Sequence, residues 1–456
     1  MQIQFAIIMT VATFIFSFSS ISYAYDRMAD QIQVIRSEIM NSNASYDDLR
    51  ELTTQIGPRP SGSSAATQAV DWSIAKMKTY KFDRVFTQEL KIPHWHRGSN
   101  EKAEILGTTS KTSLAVAALG RSAGTSGSVA EVIEVQSLED VRNLGQKVQG
   151  KIIFYNRPMD PNLEDTFEAY GQAMDQRTSG PNLAARLGAV AVLVRSLTTL
   201  QDDDHPHTGA TYFSGDVTPI PAAALSTHAA NVLSKALKEQ PDLKVRLELS
   251  AENRPDTTSY NVIGEIVGRE LPDEIVLVGG HLDSWDLGQG AHDDGAGIVQ
   301  SLDVCRSLVK LNMRPRRTVR CVMYMTEELG GIGGEEYAKL ASQNAEKHIM
   351  AIESDRGGFA PEKFSVDGTP EDIQELNNVI GLFSASGVQS VYQGGAGTDV
   401  APLASLGTLT MELIPNSKHY FDYHHAATDR FEAVNPEELK NGAAALAAMV
   451  FYFGER

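Results

Sequence analysis

Eight acidic and histidine side chains in the carboxyl-terminal half of the chain have the chemistry needed to bind metal ions. They are, in chain order, His281, Asp283, Asp293, Glu327, Glu328, Asp355, His424 and His425. Imidazole nitrogens combined with carboxylate oxygens suit Zn2+ better than Ca2+ or Mg2+, which prefer shells made only of oxygen. A bridging carboxylate would allow two ions to lie about 3.5 to 4 Å apart and share a nucleophilic water. The set therefore predicts a metal centre able to activate water.

The elements that must position these side chains are strands followed by loops. Strands are predicted at residues 274–278, 318–325, 348–352 and 407–413, alternating with helices near 295–310, 333–343, 370–386 and 436–453. This alternation is typical of an α/β sheet, in which ligands bind at the carboxyl ends of the strands. Unrelated surface carboxylates and helix caps are the alternative, and Asp293 and Asp294 are suitable capping residues. That alternative can explain any single residue of this kind. It explains less well why a whole set follows the predicted strands of one domain.

The amino-terminal half has a different pattern of predicted helices and strands. Residues 26–56 and 65–79 are predicted helices, separated by the breaking segment Gly57–Ser63, and a strand follows at 85–90. From about 105 to 252 the pattern changes to short apolar strands with only two predicted helices. These strands lie at 113–119, 129–135, 152–155, 189–194, 220–225 and 245–249, and the helices at 181–187 and 227–239. The pattern favours a β-rich insert.

Length and charge limit the functional classes. The 456 residues exceed what one hydrophobic core usually spans, which favours two domains. A net charge of -18 argues against a nucleic-acid or anionic-membrane surface, because either would need clustered Lys and Arg.

The amino terminus resembles an export signal. Residues 5–18 form an uncharged apolar run, and Ser22–Ala24 offers small residues for cleavage, so residues 1–24 are predicted to be a signal peptide of a secreted or periplasmic protein. No Lys or Arg precedes the run, which leaves an uncleaved membrane anchor as the alternative.

The only cysteines, Cys305 and Cys321, are predicted to pack as buried thiols, although a disulfide between them is geometrically possible.

Several motifs identify a family. They are Gly279–Trp285, Gly288–Gly295, Thr326–Glu328, Glu353–Asp355 and Tyr420–His425, together with Gly57–Ser63 and Ile92–Trp95. In type and order they resemble the co-catalytic zinc peptidases of the aminopeptidase Y family, over nearly the whole mature chain. The resemblance implies a zinc-exopeptidase fold, with a phosphorylase/hydrolase-like mixed sheet covered by helices on both faces. It also implies that residues 105–252 are a protease-associated insert domain between the two parts of the peptidase domain, 25–104 and 253–456, and that the protein forms a homodimer.

The resemblance also assigns roles at the metal centre, which would hold two Zn2+ ions per chain. Asp293 would bridge the ions, with Glu328 and His425 at one ion and His281 and Asp355 at the other. Asp283 would accept a hydrogen bond from the far nitrogen of His281 and so fix its tautomer. Glu327 would be the general base that takes a proton from the bridging water and passes it to the leaving amine.

Three assignments stay open. His425 is preferred to His424 as the ligand because it lies four residues before Asp429, the spacing that family members have, although Arg430 then stands where the family usually has Thr. Asp399 belongs to a loop, residues 394–399, that resembles a substrate-contacting loop of the family but is equally typical of a simple turn. Tyr423 is a candidate donor to the oxyanion formed during hydrolysis, and Tyr423, His424 and Asp399 are the candidate substrate contacts.

The sequence thus predicts an enzyme that hydrolyses dipeptides or short peptides, as a carboxypeptidase or dipeptidase. An aminopeptidase of the same family is the first alternative, and it would need an acidic group to bind the free amino terminus. An inactive receptor-like ectodomain is the alternative from another class. The intact ligand set and Glu327 favour the enzyme.

Overall fold

The computed structural model describes residues 25–107 and 111–456, and the predicted signal peptide lies outside the described residues. The helices are α1 (25–41), α2 (Ala44–Arg50), α3 (Ser64–Thr79), α4 (Leu138–Leu144), α5 (Thr166–Gly171), α6 (Asp175–Thr178), α7 (Gly180–Arg186), α8 (Thr227–Glu239), α9 (Ala296–Lys310), α10 (Ile332–Gln343), α11 (Pro370–Asn378) and α12 (Pro436–Glu455). The strands are β1 (Arg84–His96), β2 (Glu101–Leu106), β3 (Thr112–Leu114), β4 (Val116–Ala118), β5 (Thr125–Val135), β6 (Ile152–Tyr155), β7 (Ala191–Arg195), β8 (Ala222–Leu225), β9 (Lys244–Leu249), β10 (Glu252–Ile266), β11 (Leu271–His281), β12 (Arg317–Tyr324), β13 (Lys347–Glu353), β14 (Pro361–Asp367), β15 (Ser390–Gln393) and β16 (Leu409–Pro415).

The first sheet has eight strands in the order β1-β10-β12-β11-β13-β16-β14-β15. Its four central strands, β12, β11, β13 and β16, run parallel, and antiparallel strands flank them. The carboxyl ends of the four central strands therefore meet at one edge of the sheet, where the predicted metal ligands follow them.

Helices cover both faces of the first sheet. The side chains of β11, which alternate between the two faces, show this. Val276 and Val278 point into a core shared with α9 and α12, whereas Ile275 and Leu277 point into a second core against α10. A central strand buried on both faces has this continuous apolar character. The predicted mixed α/β sheet with helices on both faces is confirmed.

The second sheet also has eight strands, in the order β3-β2-β9-β5-β6-β7-β8-β4. Only Ala115 separates the end strands β3 and β4 along the chain, so one continuous segment supplies both edges of the sheet. Helix α8 packs on one face, and α4 and α7 pack on the other. The region predicted as β-rich is therefore an α/β layered unit.

The chain leaves the first sheet after β1 and returns to it at β10. These two strands form one antiparallel ladder that begins with Arg84 opposite Glu265 and closes with His96 opposite Glu252. We call residues 97–251, which lie between them, the inserted lobe. Beyond the ladder, the Ser250 N–H donates to the Asn100 carbonyl at 2.9 Å. The predicted boundary at residue 104 falls inside β2, a strand of the second sheet.

Some predicted helices end early or break. The helix predicted over 26–56 is interrupted at Ser42 and Asn43, where the Ser42 hydroxyl accepts a hydrogen bond from the Ala44 N–H. The helix predicted over 370–386 ends at Asn378 and continues as short 3-10 turns up to Gly387, whose φ is +103°. Helices α4, α5 and α6, which have seven, six and four residues, were not predicted.

Cys305 and Cys321 are buried free thiols, as predicted. Within residues 25–107 and 111–456, no helix has the length and apolar character needed to cross a membrane.

Candidate metal centre

The candidate ligands come from the ends of three central strands and from two loops. His281 is the last residue of β11, Glu328 follows β12 by four residues, and Asp355 follows β13 by two. Asp293 lies in the turn that leads into α9, and His425 follows the 3-10 helix Ser417–Asp422. The parallel pairing of β11 with β12 and β13 brings the first three together, as the predicted sheet requires.

The five side chains form two groups that share one carboxylate. His281 Nε2 lies 3.2 Å from Asp293 Oδ1 and 3.2 Å from Asp355 Oδ1. His425 Nε2 lies 3.3 Å from Asp293 Oδ2 and 3.0 Å from Glu328 Oε2. The two oxygens of Asp293 thus face different histidines, which is the arrangement that a bridging carboxylate needs.

The donor set fits zinc. Each group offers one imidazole nitrogen and two carboxylate oxygens, all buried or nearly so. Among the described residues, no Lys or Arg forms an ion pair with Asp293, Glu328 or Asp355, and the buried Glu328 Oε1 has no hydrogen-bond partner. Uncompensated buried carboxylates are costly unless a cation joins them. The arrangement therefore has the charge and the ligand types of a zinc site.

The main chain holds the far nitrogen of His281. Nδ1 lies 2.9 Å from the Asp283 carbonyl oxygen but 3.8 Å from the Asp283 carboxylate. The predicted hydrogen bond to the Asp283 carboxylate is therefore wrong, and the carbonyl of the same residue accepts the bond. A proton on Nδ1 leaves Nε2 free to bind a metal.

The Asp283 carboxylate instead holds the turn that carries the two glutamates. Its Oδ1 accepts the N–H of Thr326 at 2.7 Å and that of Glu327 at 3.2 Å, and its Oδ2 accepts the Ser61 hydroxyl at 2.7 Å. Thr326 has a φ of +77°, in the left-handed region that non-glycine residues seldom adopt. Asp283 thus fixes the direction in which Glu327 and Glu328 leave their strand.

A second carboxylate holds the loop of the bridging ligand. Asp429 accepts the N–H of His292 at 2.7 Å and the N–H of Asp293 at 3.2 Å. Burial raises the pKa of Asp429 to about 7, although these two N–H groups oppose the rise. Asp429, four residues after the predicted ligand His425, therefore holds the main chain of Asp293, the predicted bridging residue.

The segment Gly57–Ser63 contributes another support. Arg59 is fully buried and donates to the carbonyl oxygens of Leu282, Gln289 and Gly290 at 2.8 to 2.9 Å. These contacts tie the loop after β11 to the amino-terminal part of the chain. The Gly57–Ser63 motif therefore positions the loop after β11 by hydrogen bonds to its main-chain carbonyl groups.

The structure favours His425 over His424 as the ligand, since only the His425 nitrogen faces Glu328 as well as Asp293. The His424 ring stacks on His425 with centroids 3.5 Å apart, and its Nδ1 is buried without a partner. Its nitrogens still lie close to Asp293, so both imidazoles border the centre.

Glu327 points into a cavity of about 300 Å³ at the metal centre. Removal from solvent raises the pKa of Glu327 to about 7; the carboxylates of Asp355 and Asp293 add to the rise, and His281 opposes it. The described residues give its carboxylate no hydrogen bond, whereas Glu328 accepts one from the Trp285 indole N–H. One glutamate is therefore engaged and its neighbour is free.

The inserted lobe forms the opposite wall of this cavity. The lining residues are Phe167, Tyr170, Met174, Arg177, Thr178, Ala210, Tyr212, Asp293, Glu327, Glu328, Asp355, Thr398, Tyr420, His424 and His425. Sequence reasoning missed the seven that belong to the lobe, because no spacing links α5 and α6 to the strand ends. The structure therefore makes the site a composite of both sheets.

Two predicted substrate contacts lie away from the cavity. Asp399 is fully buried and accepts the N–H of Gly334 in the first turn of α10 at 3.0 Å, while its neighbour Thr398 lines the cavity. The Tyr423 ring packs on His292, with centroids 5.0 Å apart. The structure thus gives both side chains structural contacts and does not bring them to the metal ligands.

Comparisons with known proteins agree in sequence and fold. The profile described as Peptidase family M28 matches residues 261–450. The chain is 36% identical over 412 residues to carboxypeptidase Q of Xenopus laevis and 32% identical to that of Homo sapiens, covering 90% of this chain and 85% of each relative. The crystal structure of a peptidase M28 precursor from Shewanella amazonensis matches with a TM-score of 0.90 at 35% identity, covering 95% of this chain and 98% of that one. A zinc aminopeptidase from Bacillus subtilis shares the fold, with a TM-score of 0.67 at 20% identity over 90% of this chain and 95% of that one.

Proposed function

The chain belongs to peptidase family M28, as its motifs predicted, and from this premise we propose its substrate and the roles of its residues. It is a zinc metallopeptidase. We propose that it removes carboxyl-terminal residues from dipeptides and short peptides, and that Arg177 binds the free carboxylate of the substrate.

The observation that carries this proposal is the guanidinium of Arg177 in the cavity wall. Arg177 is buried, and no carboxylate pairs with it among the described residues. Its hydrogen bonds go to the Thr208 carbonyl and the Tyr170 hydroxyl, its Nη1 also lies 3.4 Å from His425 Nδ1, and its Nε has no partner. A buried cation without an anion is costly, and a guanidinium binds a carboxylate with favourable geometry. A substrate carboxylate would supply the missing charge.

The same cavity offers little to a free amino terminus. Its acidic lining residues within the described chain are Asp293, Glu327, Glu328 and Asp355, three predicted ligands and the predicted base. An aminopeptidase would need one more carboxylate to pair with the substrate ammonium group. This absence favours a carboxypeptidase or dipeptidase over an aminopeptidase.

The chemistry proposed for the chain is a proton transfer by Glu327. When bound, zinc supplies a Lewis acid that polarises the scissile carbonyl and lowers the pKa of a water molecule. The Glu327 carboxylate accepts the proton of that water and delivers it to the leaving amine. Glu328 cannot share this task while its oxygen accepts from Trp285 and faces His425.

Other features extend the proposal. Two ions per chain would use the two groups around Asp293, with His281 and Asp355 at one ion and Glu328 and His425 at the other. The inserted lobe would be the protease-associated domain, and the mature enzyme would be exported after cleavage at residue 24. Short peptides match a cavity of about 300 Å³, at the lower end of small-molecule sites.

A tripeptide set tests the end specificity. We expect the zinc enzyme to release the carboxyl-terminal residue from an N-acetylated tripeptide, and to cleave the C-amidated tripeptide at least about tenfold more slowly, because the amide lacks the charge that Arg177 binds. Chromatography of the products shows which end is trimmed.

Arg177→Met should lower kcat/KM for the free acid about 10- to 100-fold more than kcat/KM for the amide, the value of a charged hydrogen bond. Arg186→Met is the matched control, since Arg186 is an exposed arginine of α7 paired with Asp216. Trimming of the amidated peptide from its amino end, or equal losses on both substrates, would contradict the proposal.

A further inference from the structure

His425 is held differently from the other histidine of the centre. His281 ends a regular strand, and the carbonyl that accepts from its Nδ1 belongs to Asp283, two residues away. His425 follows a 3-10 turn and has a φ of +60°. A non-glycine residue in this left-handed region is strained and persists only where surrounding contacts hold it. The support for His425 must therefore come from elsewhere in the molecule.

That support is two consecutive residues of the inserted lobe. The Thr208 N–H donates to the His425 carbonyl at 3.1 Å, and the Thr208 carbonyl lies 3.3 Å from His425 Nδ1. His207 Nδ1 lies 2.7 Å from the carbonyl oxygen of His424. The pair thus contacts the carbonyl groups of both His424 and His425, and it also contacts the His425 ring.

These contacts select the ring nitrogen that faces the metal centre. Arg177 Nη1 also lies 3.4 Å from His425 Nδ1, and it donates to the same Thr208 carbonyl. An Nδ1–H that donates to the Thr208 carbonyl leaves the lone pair on His425 Nε2, which faces Asp293 and Glu328. A hydrogen bond of this kind to the far nitrogen sets the tautomer and ring orientation of metal-binding histidines. Thr208 therefore does for His425 what Asp283 does for His281, but from a different sheet.

The two residues are themselves fixed. His207 is buried, and its N–H donates at 2.8 Å to the Ser196 hydroxyl, which donates to the Leu225 carbonyl at the end of β8. The Thr208 hydroxyl donates to the Ala118 carbonyl at the end of β4. The segment is thus attached to strands of the second sheet, and the ligand position is set by that sheet.

We propose that His207 is a positioning residue for the metal ligand His425, so that the ion bound by Glu328 and His425 depends on the inserted lobe while the ion bound by His281 and Asp355 does not. The inference rests on the proposed function, since it requires that both groups bind zinc.

Metal titration tests the proposal. Full-length protein is freed of metal with a chelator, and Zn2+ binding is followed by calorimetry. We expect two ions for the wild type. In His207→Ala one ion should bind with unchanged affinity and the second about 10- to 100-fold more weakly, the usual effect of losing such a supporting contact. His207→Asn keeps an N–H donor near the position of Nδ1–H and should recover most of the loss.

The control is His228→Ala, an exposed histidine of the same lobe that pairs with Asp202, which should bind both ions as the wild type does. Two ions bound by His207→Ala with wild-type affinity would overturn the proposal. Equal weakening of both ions, accompanied by a lower unfolding temperature of the metal-free protein, would also overturn it, since a general structural role has that effect. A wild-type protein that takes up no zinc would instead reject the proposed function itself.

Discussion

Glu327 and Glu328 are identical in type and adjacent in sequence, yet the structure gives them opposite surroundings. Glu328 faces His425 and accepts from Trp285, whereas Glu327 is left free in the cavity. The difference comes from Asp283, which holds the turn from which both leave the strand. At the scale of single residues, the proposed function depends on which carboxylate is kept without a partner.

Glu327→Gln should therefore retain zinc and lose turnover. The amide preserves size but cannot accept a proton, so we expect kcat to fall by at least about a hundredfold, the contribution of a general base. Metal content by atomic spectroscopy should stay at the wild-type value. Glu328→Gln is the matched control and should lose metal as well as activity. If Glu327→Gln keeps more than a tenth of the wild-type kcat, Glu327 is not the base.

Residue types in the sequence predicted which candidate ligands lie together, but not the groups that hold them in place. His281, Asp293, Glu328, Asp355 and His425 lie together because each chemistry-bearing residue follows a predicted strand or opens the next helix. Hydrogen bonds to main-chain groups leave no such pattern in the sequence, because almost every residue carries the same main-chain groups. For that reason, the Asp283 carbonyl at His281 and the unpaired guanidinium in the cavity were found only in three dimensions.

At the scale of elements, strand positions could be predicted because each central strand is buried on both faces. The predicted strand at 152–155 coincides with β6, and those at 318–325 and 348–352 differ from β12 and β13 by one residue at each end. Short helices such as α5 and α6 bury too few residues to show a period. They nevertheless supply part of the cavity wall, so the least predictable elements line the candidate site.

Burial within these elements should make stability depend on pH through His348 of β13. Burial and the nearby Arg320 guanidinium lower its pKa to about 3, despite the Glu346 carboxylate 3.8 Å away. The folded protein keeps the ring neutral, with the Tyr337 hydroxyl 2.9 Å from Nε2. The unfolded chain binds a proton below about pH 6.5, so this contribution to stability is lost progressively as the pH falls from 6.5 toward 3.

The expected loss at pH 5 is about 2 kcal/mol in the free energy of unfolding, from roughly 1.5 pH units at about 1.4 kcal/mol each. His348→Gln should lack it, and urea unfolding of both proteins at pH 7 and pH 5 with chelator measures the difference. All other titrating groups are common to the two proteins and cancel. Equal losses in both would show that His348 does not govern this pH range.

At the scale of the whole molecule, the metal centre lies on the first sheet and its cover on the second. Arg97 joins them where the chain passes from one to the other. It is buried, it pairs with Asp286 at 2.7 Å and with Glu101 at 3.0 Å, and it donates to the Thr208 hydroxyl at 3.2 Å. One side chain thus connects the loop after β11 with the segment that supports His425.

Arg97→Gln should lower the free energy of unfolding by about 3 kcal/mol, since removing one member of a buried ion pair leaves the others uncompensated. It should also weaken zinc binding, because Thr208 loses a contact. Arg142→Gln, which breaks an exposed pair with Glu139, is the control and should change stability by less than about 0.5 kcal/mol. Urea unfolding measures both, and a loss below 1 kcal/mol for Arg97→Gln would argue against the connecting role.

The ladder of β1 and β10 has one more consequence, for how such a protein can change over generations. The two strands are antiparallel neighbours, so the inserted lobe occupies the place of a hairpin turn between His96 and Glu252. A gene could gain or lose those residues in a single recombination event without altering one strand pairing of the first sheet. His281 and Asp355 would keep their places through such an event, whereas Arg177 and the residues that support His425 would be inherited or lost together.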